Sequence, residues 1–272
     1  MPRRNTVPFM YIAWRACLRS LFSFLGLGLV RKSELDLLRS EKIEFDALRV
    51  KLDFFLETNS IWSIKSDLDI NHLAKNSRSE SGQDLFALVA NDFSKNKVFI
   101  EIGAFDGVTY SNSYMLEKDF KWNGVLVECI PRNFRRIKNS RDCEIIFGAV
   151  SGQSGDKIEV FESPAPNLSS TIKSEAENSW RVVSHSVPNY SLDAILRHSK
   201  TMGVIGFLSV DIEGAEYSVF KNVDLSQYEI ESICIEHNFR PESQDLKKLI
   251  ESQGYHTVFE AFSGNDFWFI RN

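Results

Sequence analysis

Acidic residues and glycines follow a short apolar segment at residues 98–107, which reads VFIEIGAFDG. The apolar run is broken only by Glu101, a pattern typical of a buried strand in a parallel sheet. Gly103 and Gly107 then allow the backbone to turn sharply and to approach a ligand closely. Ligands of open α/β sheets bind at the carboxyl ends of strands, so this turn is predicted to contact a cofactor.

The spacing of the glycines and the nearby acids argue against a dinucleotide as that cofactor. Dinucleotide sites typically have the pattern G-x-G-x-x-G, with bare backbone amides facing a pyrophosphate. Here the glycines are spaced G-x-x-x-G, and Glu101 and Asp106 would repel a pyrophosphate. A ligand with positive charge and no phosphate suits the segment, and S-adenosylmethionine, with its ammonium and sulfonium groups, is such a ligand. A strand and turn without any cofactor is the alternative interpretation of this motif alone.

Another acid, Glu128, has the sequence spacing from the glycine turn that is expected of a ribose-binding residue. Glu128 ends the apolar segment GVLVEC, 25 residues after Gly103. An acid about 20 residues beyond a glycine turn can accept hydrogen bonds from ribose hydroxyls. We therefore predict that Glu128 contacts the ribose of the cofactor.

Two later apolar segments also end in groups that could move a proton. Asp211 and Glu213 follow one of them, and Glu236, His237 and Asn238 end the next. His237 is a candidate general base because its ordinary pKa is near neutrality, and Asp211 is a second one if burial or other acids raise its pKa. Alternatively, Asp211, Glu236 and Asn238 could hold a divalent cation that lowers the pKa of the hydroxyl of an acceptor substrate. Salt bridges to basic residues would be the purely structural interpretation.

The elements that must position these groups alternate between strand and helix from about residue 81 onward, which predicts a doubly wound sheet. Residues 163–189 are rich in Ser, Asn and Pro and are predicted to form a lid or an acceptor-binding loop. The predicted strands cover residues 98–102, 124–129, 144–150, 157–162, 207–210, 232–236, 256–262 and 266–270, and the predicted helices cover residues 109–119, a segment beginning at 131, 192–199 and 244–253.

The first 80 residues have a different character. Residues 1–32 are apolar and carry six basic residues but no acid, which predicts a segment lying on an anionic membrane surface. A membrane-spanning anchor and a helix docked on the protein itself are alternatives. Residues 33–58 have a heptad-like pattern, typical of a coiled coil that forms a homo-oligomer or of a helix packed on the body. Residues 59–80 are polar and are predicted to be a linker, so that 33–80 forms an extension of the domain at 81–272.

Charge and cysteine content limit the partners and the compartment. The chain of 272 residues has a net charge of −5, and residues 33–272 hold 26 basic against 37 acidic groups. This balance argues against nucleic acid as a partner, since phosphate contacts need clustered Lys and Arg. The four cysteines form no C-x-x-C pair, which predicts reduced cysteines and a cytoplasmic protein, peripheral on the inner face of the membrane if residues 1–32 bind it.

Six motifs together resemble the FkbM family of S-adenosylmethionine-dependent methyltransferases. The resemblance implies a class I Rossmann-like methyltransferase fold, with a mostly parallel doubly wound sheet and an antiparallel C-terminal strand. The helical N-terminal extension is predicted from the residue pattern alone, because the resemblance does not reach residues 1–80. The motifs are SGQDLFAL at 81–88, VFIEIGAFDGVTYSNSYMLE at 98–117, WNGVLVECIP at 122–131, YSLDAIL at 190–196, LSVDIEGAEYSVFKNV at 208–223 and ICIEHN at 233–238.

The resemblance also implies an activity, which is methylation of a hydroxyl on a sugar, glycan or other small molecule. The other interpretation that we considered is a membrane-associated scaffold with a catalytically silent Rossmann-like body. By the resemblance, Asp211 and Glu213 belong to an acidic motif beside the methyl donor, and Glu128 contacts the ribose. The cofactor turn comprises Glu101, Gly103, Ala104 and Gly107.

Overall fold

Seven strands form a central, mostly parallel sheet in the structure, a computed structural model that describes residues 50–51, 53–54, 70–153, 155–163 and 183–272. The strands of this sheet are β1 (Val98–Ile102), β2 (Asn123–Glu128), β3 (Glu144–Phe147), β7 (Ile205–Val210), β8 (Ile230–Glu236), β9 (Tyr255–Thr257) and β10 (Asp266–Arg271). Their order is β3-β2-β1-β7-β8-β10-β9, and β10 runs antiparallel to both of its neighbours. The predicted doubly wound sheet with an antiparallel C-terminal strand is confirmed.

A second, three-stranded sheet stands beside the first and has the order β4-β6-β5. Its strands are β4 (Ala149–Val150), β5 (Lys157–Glu162) and β6 (Val183–Tyr190). The single strand predicted at 144–150 is therefore wrong, because the chain changes sheets at Gly148, whose φ is 152°. The loop predicted at 163–189 is wrong at its end, where residues 183–188 pair with β5 and Asn189 pairs with β4. Residues 164–182 lie outside the described part of the chain.

Helices cover both faces of the central sheet, as the alternating pattern predicts. Ser191 caps one of them as expected, since its side-chain oxygen accepts a hydrogen bond from the amide of Ala194 at 3.1 Å. The linker predicted at 59–80 contains a helix instead, which buries Leu73 and Ala74. The helices are α1 (Ile70–Asn76), α2 (Gln83–Ala90), α3 (Tyr114–Lys118), α4 (Pro131–Ile137), α5 (Leu192–Ser199), α6 (Glu216–Phe220) and α7 (Ser243–Glu251).

Of the first 58 residues, the structure describes only residues 50, 51, 53 and 54, so only these bear on the predictions for this region. Phe54 is buried, and its ring makes edge contacts with Phe259, Phe262 and Trp268 at 5.1 to 5.8 Å between centroids. This part of the heptad region therefore packs on the body. The remainder of 33–58 and the membrane-surface segment at 1–32 lie outside the described residues. Among the helices that the structure describes, none is long and apolar enough to cross a membrane.

The loop after β1 is held by the carboxylate of Glu101, which is buried. Ser111 and Ser113 donate side-chain hydrogen bonds to it at 2.9 and 2.5 Å, and the backbone amide of Asn112 donates another at 2.8 Å. The helix predicted at 109–119 therefore begins only at Tyr114. Residues 111–113 satisfy a buried charge, which is expensive to leave unpaired, instead of extending the helix.

Arg141 supplies a positive charge close to the buried carboxylate of Glu101. Its side chain is fully buried, with the guanidinium 2.6 Å from the carboxylate of Glu117 and 3.9 Å from that of Glu101. It also donates to the carbonyl of Gly107 at 2.9 Å and to the hydroxyls of Ser111 and Ser113. Although burial opposes it, Arg141 together with Lys118 holds the pKa of Glu117 at about 2. One cation thus fixes both the strand-end acid and the loop above it.

Replacing Arg141 by Met should lower the free energy of unfolding by about 3–5 kcal/mol, because two buried carboxylates lose their cation. Urea denaturation followed by circular dichroism measures the change. Arg136 is exposed on the preceding helix, so Arg136→Met is the matched control and should stay within about 0.5 kcal/mol of the parent. Equal effects of the two substitutions would contradict the role of Arg141.

Candidate active site

A cavity of about 140 Å³ opens at the carboxyl ends of β1, β2 and β7. This is the sheet edge at which the sequence predicted a ligand. Gly107 and His237, which were predicted at the same site, do not line the cavity. The predicted residues that do line it are Glu101, Gly103, Ala104, Glu128, Asp211, Glu213 and Glu236.

The lining of the cavity is strongly acidic. Besides Glu101, Glu128, Asp211 and Glu213, the predicted Glu236 and the unpredicted Glu80 contribute carboxylates, while no Lys, Arg or His of the described chain lines it. Such a wall would repel the phosphates of a nucleotide and would attract a positively charged ligand.

Gly103 is required by packing as well as by the turn. Its φ is 89°, and a Cβ at this position would lie 1.7 Å from the carbonyl oxygen of Asp211. Its amide and that of Ala104 donate to the carbonyl of Val127 at 3.0 and 3.2 Å. The turn therefore joins the ends of β1, β2 and β7, and these two amides are not available to a phosphate.

Gly107 lies behind the turn and not in the cavity wall. Its φ is 78°, and a Cβ here would lie 3.1 Å from Cγ of Arg141 and 3.2 Å from Ile137. The second glycine of the motif thus makes room for the buried guanidinium. Its place in a cofactor-binding turn stays a prediction.

Glu128 ends β2 in the cavity wall, where its side chain is almost fully buried. Burial raises the pKa of this carboxyl to about 7, although the backbone amides of Ile130, Phe105 and Cys129 and the side chain of Asn133 all donate to it and oppose the rise. The Ile130 amide is only 2.6 Å away. The carboxyl is therefore held rigidly and faces the cavity.

Three further acids converge at the ends of β7 and β8. Oxygen atoms of Asp211, Glu213 and Glu236 lie within 4.8 Å of one another, close enough to hold a cation. Burial and then the charge of Glu236 raise the pKa of Asp211 well above its usual range. Burial and the charges of Glu213 and Glu216 raise the pKa of Glu236 to about 8. The side chains of Asp211 and Glu236 also interact with each other, and a proton on either carboxyl would relieve the repulsion between them.

His237 faces away from these acids. It lines a second pocket, of about 380 Å³, together with Phe239 and Arg240. Its Nδ1 accepts a hydrogen bond from the amide of Phe239 at 3.0 Å, and burial lowers the pKa of the ring. Glu236 is the last residue of β8 and lines the cavity, whereas His237 lies beyond the strand, where its backbone amide donates to the carbonyl of Asn265 at 2.8 Å. Asn238, predicted as a cation ligand, does not line the cavity either.

Two asparagines of the cavity wall were not predicted as site residues. Asn112 and Asn133 are only 8% and 2% exposed, and the side-chain oxygen of each has no hydrogen-bond partner among the described residues. A buried acceptor without a donor is costly, so such atoms in a cavity wall indicate a ligand. Sequence spacing carried no signal for either residue, because their burial depends on the loop held by Glu101 and on the start of α4.

Several solved structures named as methyltransferases are among those similar to this chain. Methyltransferase FkbM from Methylobacillus flagellatus KT is 12% identical, with a TM-score of 0.42 over 87% of this chain and 60% of that one, so this chain spans less than two thirds of its length. The S-adenosylhomocysteine-bound methyltransferase PaMTH1 of Podospora anserina is 14% identical, with a TM-score of 0.42 over 90% of this chain and 97% of that one. The human methyltransferase 10 domain containing protein is 11% identical, with a TM-score of 0.37 over 84% and 94% of the two chains.

No curated protein matches the sequence. A family model does: residues 101–257 match the methyltransferase FkbM domain. The match begins at Glu101, the acid in β1, and includes Glu128, Asp211 and Glu236. Because it covers more than half of the 272 residues, the chain belongs to the methyltransferase FkbM domain family.

Proposed function

We propose that the protein transfers a methyl group from S-adenosylmethionine to a hydroxyl oxygen of a sugar, glycan or other small molecule. The observation that carries this proposal is the lining of the cavity, with six carboxylates and no basic residue among the described residues. S-Adenosylmethionine bears an ammonium and a sulfonium and no phosphate, so its charges complement that wall. When bound, it supplies a methyl group that is already activated for displacement.

Glu128 is proposed to hold the ribose of the donor. As a carboxylate it can accept hydrogen bonds from a hydroxyl, and the amides around it fix its position at the end of β2. Since the adenine and the sulfur lie on opposite sides of the ribose, the donor should extend along the sheet edge from β2. The sulfur side must then face Asp211, where the acids cluster.

The Asp211–Glu236 pair is proposed to take the proton of the acceptor hydroxyl. The oxygen that attacks must lie about 3 Å from the methyl carbon, in line with the leaving sulfur. Burial and neighbouring charges raise the pKa values of both acids, that of Glu236 to about 8, and a base with a raised pKa accepts a proton more readily. A cation on the donor lowers those pKa values again, because it stabilises the ionised form. Donor binding would therefore create the base that the second substrate needs.

Glu213 and His237 are proposed for lesser roles than the sequence alone suggested. Glu213 adds negative charge beside the pair and contacts Arg240 at 4.0 Å, so it supports the electrostatic attraction of the donor. The ring of His237 packs 4.1 Å from that of Phe267 and receives the Phe239 amide, so it shapes the end of β8. A divalent cation at the same acids would compete with the sulfonium for their charge, and we do not include one in the mechanism.

Methyl transfer is measured with S-adenosylmethionine labelled in its methyl group and a panel of monosaccharides, glycans and lipid-linked sugars. We expect label in a product that resists alkaline hydrolysis, because a methyl ether of a hydroxyl is stable where a methyl ester is not. Asp211→Asn should lower kcat by about 10²- to 10⁴-fold, the usual contribution of a positioned base.

His237→Ala is the informative comparison in that assay, since His237 lies outside the cavity. It should retain most of the parent rate. A large loss of rate in His237→Ala together with a small loss in Asp211→Asn would assign the base to the histidine. Label found only in base-labile esters would contradict hydroxyl methylation.

Proton release on donor binding tests the acid pair without any acceptor. At pH 8 a carboxyl with a pKa of about 8 is half protonated, so binding of the sulfonium should expel up to about half a proton from Glu236. S-Adenosylhomocysteine lacks the sulfonium charge and should release less. Calorimetry in buffers of different ionisation enthalpy gives the proton numbers.

Glu236→Gln should remove most of the difference between the two ligands. Glu229, which is exposed and remote from the cavity, provides the control substitution Glu229→Gln, and this variant should retain the difference. Equal proton release by both ligands in the parent protein would contradict the proposed coupling of donor charge to the pair.

A further inference from the structure

We propose that two buried asparagines divide recognition of the donor between them: Asn112 binds the ammonium of its amino-acid end, and Asn133 binds a hydroxyl of its ribose. This inference rests on the proposed function and assigns two residues of the same site. Both side chains are more than nine-tenths buried, both line the cavity, and the amide oxygen of each lacks a donor among the described residues.

Asn133 is placed beside the acid that we assign to the ribose. It lies in the first turn of α4, and its side chain donates a hydrogen bond to the carboxylate of Glu128. With its NH₂ group so engaged, its oxygen is left to accept. Glu128 already receives the amides of Ile130, Phe105 and Cys129, which occupy most of the lone pairs of a carboxylate. The amide oxygen of Asn133 is a second acceptor beside Glu128, so that both ribose hydroxyls can donate a hydrogen bond to the protein.

Asn112 is placed on the other side of β1. Its backbone amide donates to Glu101 at the end of β1, and its side-chain NH₂ group donates to the hydroxyl of Ser209 on β7 at 2.9 Å. These two bonds fix the plane of the amide, so its oxygen is presented as an acceptor with no partner in the described chain. An ammonium at this place would also lie near the carboxylate of Glu101, which adds a favourable charge interaction.

The strand order sets which asparagine meets which end of the ligand. Along the edge the sequence of strands is β3, β2, β1, β7 and β8, which places Asn133 and Glu128 first, Asn112 and Glu101 next, and Asp211 with Glu236 last. A donor with its ribose at β2 and its sulfur facing β7 passes its amino-acid end over β1 and β7. The ammonium, which has three N–H groups, is the part of the donor that can reach Asn112 there.

The test uses calorimetry with two ligands, S-adenosylhomocysteine and 5′-methylthioadenosine, the second of which lacks the amino-acid end. Asn112→Ala should lower the affinity for S-adenosylhomocysteine by about 10- to 100-fold, as expected for the loss of a hydrogen bond to a charged group. The affinity for 5′-methylthioadenosine should not change. Asn133→Ala should lower the affinity for both ligands by the same factor, about fivefold, as expected for a hydrogen bond between uncharged groups.

Two further variants separate ligand contact from damage to the fold. Asn112→Asp keeps an acceptor oxygen in place and should retain the affinity for S-adenosylhomocysteine. Asn139→Ala removes an exposed amide just beyond α4 and should bind both ligands as the parent does.

Equal weakening of both ligands by Asn112→Ala, or no weakening of S-adenosylhomocysteine, would overturn the assignment while the proposed function stands. A parent protein that binds neither ligand would overturn the proposed function and this inference together.

Discussion

The buried contact between Arg141 and the acids around it is the constraint on which the site depends. Glu101, near the end of β1, lines the cavity, and burial raises the pKa of this carboxyl although the charge of Arg141 opposes the rise. Arg141 supplies the opposing charge and at the same time fixes the loop that carries Asn112. Because the guanidinium of Arg141 is buried and does not line the cavity, the lining of the cavity remains acidic. The same interaction therefore stabilises the turn and preserves the charge that a cationic donor needs.

Acids along this sheet edge have different tasks, although the sequence presents them as one group. Asp106 bonds the amides of Val108 and Thr109, and Glu216 bonds those of Ile212 and Gly214, so both acids shape turns. Glu128 and the Asp211–Glu236 pair keep oxygen atoms towards the cavity. The difference follows from what surrounds each carboxylate. Asp106 and Glu216 accept hydrogen bonds from amides of their own turns, whereas burial and neighbouring carboxylates raise the pKa values of Asp211 and Glu236.

The sequence predicted the central sheet and the position of the cavity because both depend on local patterns. Apolar runs such as residues 98–102 and 205–210 are recognisable as buried strands, and the carboxyl ends of parallel strands must share an edge. It could not predict Arg141, whose neighbours come from three separate segments, nor the direction in which His237 points. The change of sheet at Gly148 and the late start of α3 were missed for the same reason, since long-range contacts overrule the local pattern at each place.

A crystal structure of the protein with S-adenosylhomocysteine tests the central claim, that the acidic cavity at the ends of β1, β2 and β7 holds the methyl donor. The account predicts ribose hydroxyls on Glu128, the amino-acid end over Glu101, and the sulfur facing Asp211. A ligand bound outside this cavity, or one whose sulfur points towards β3, would contradict it.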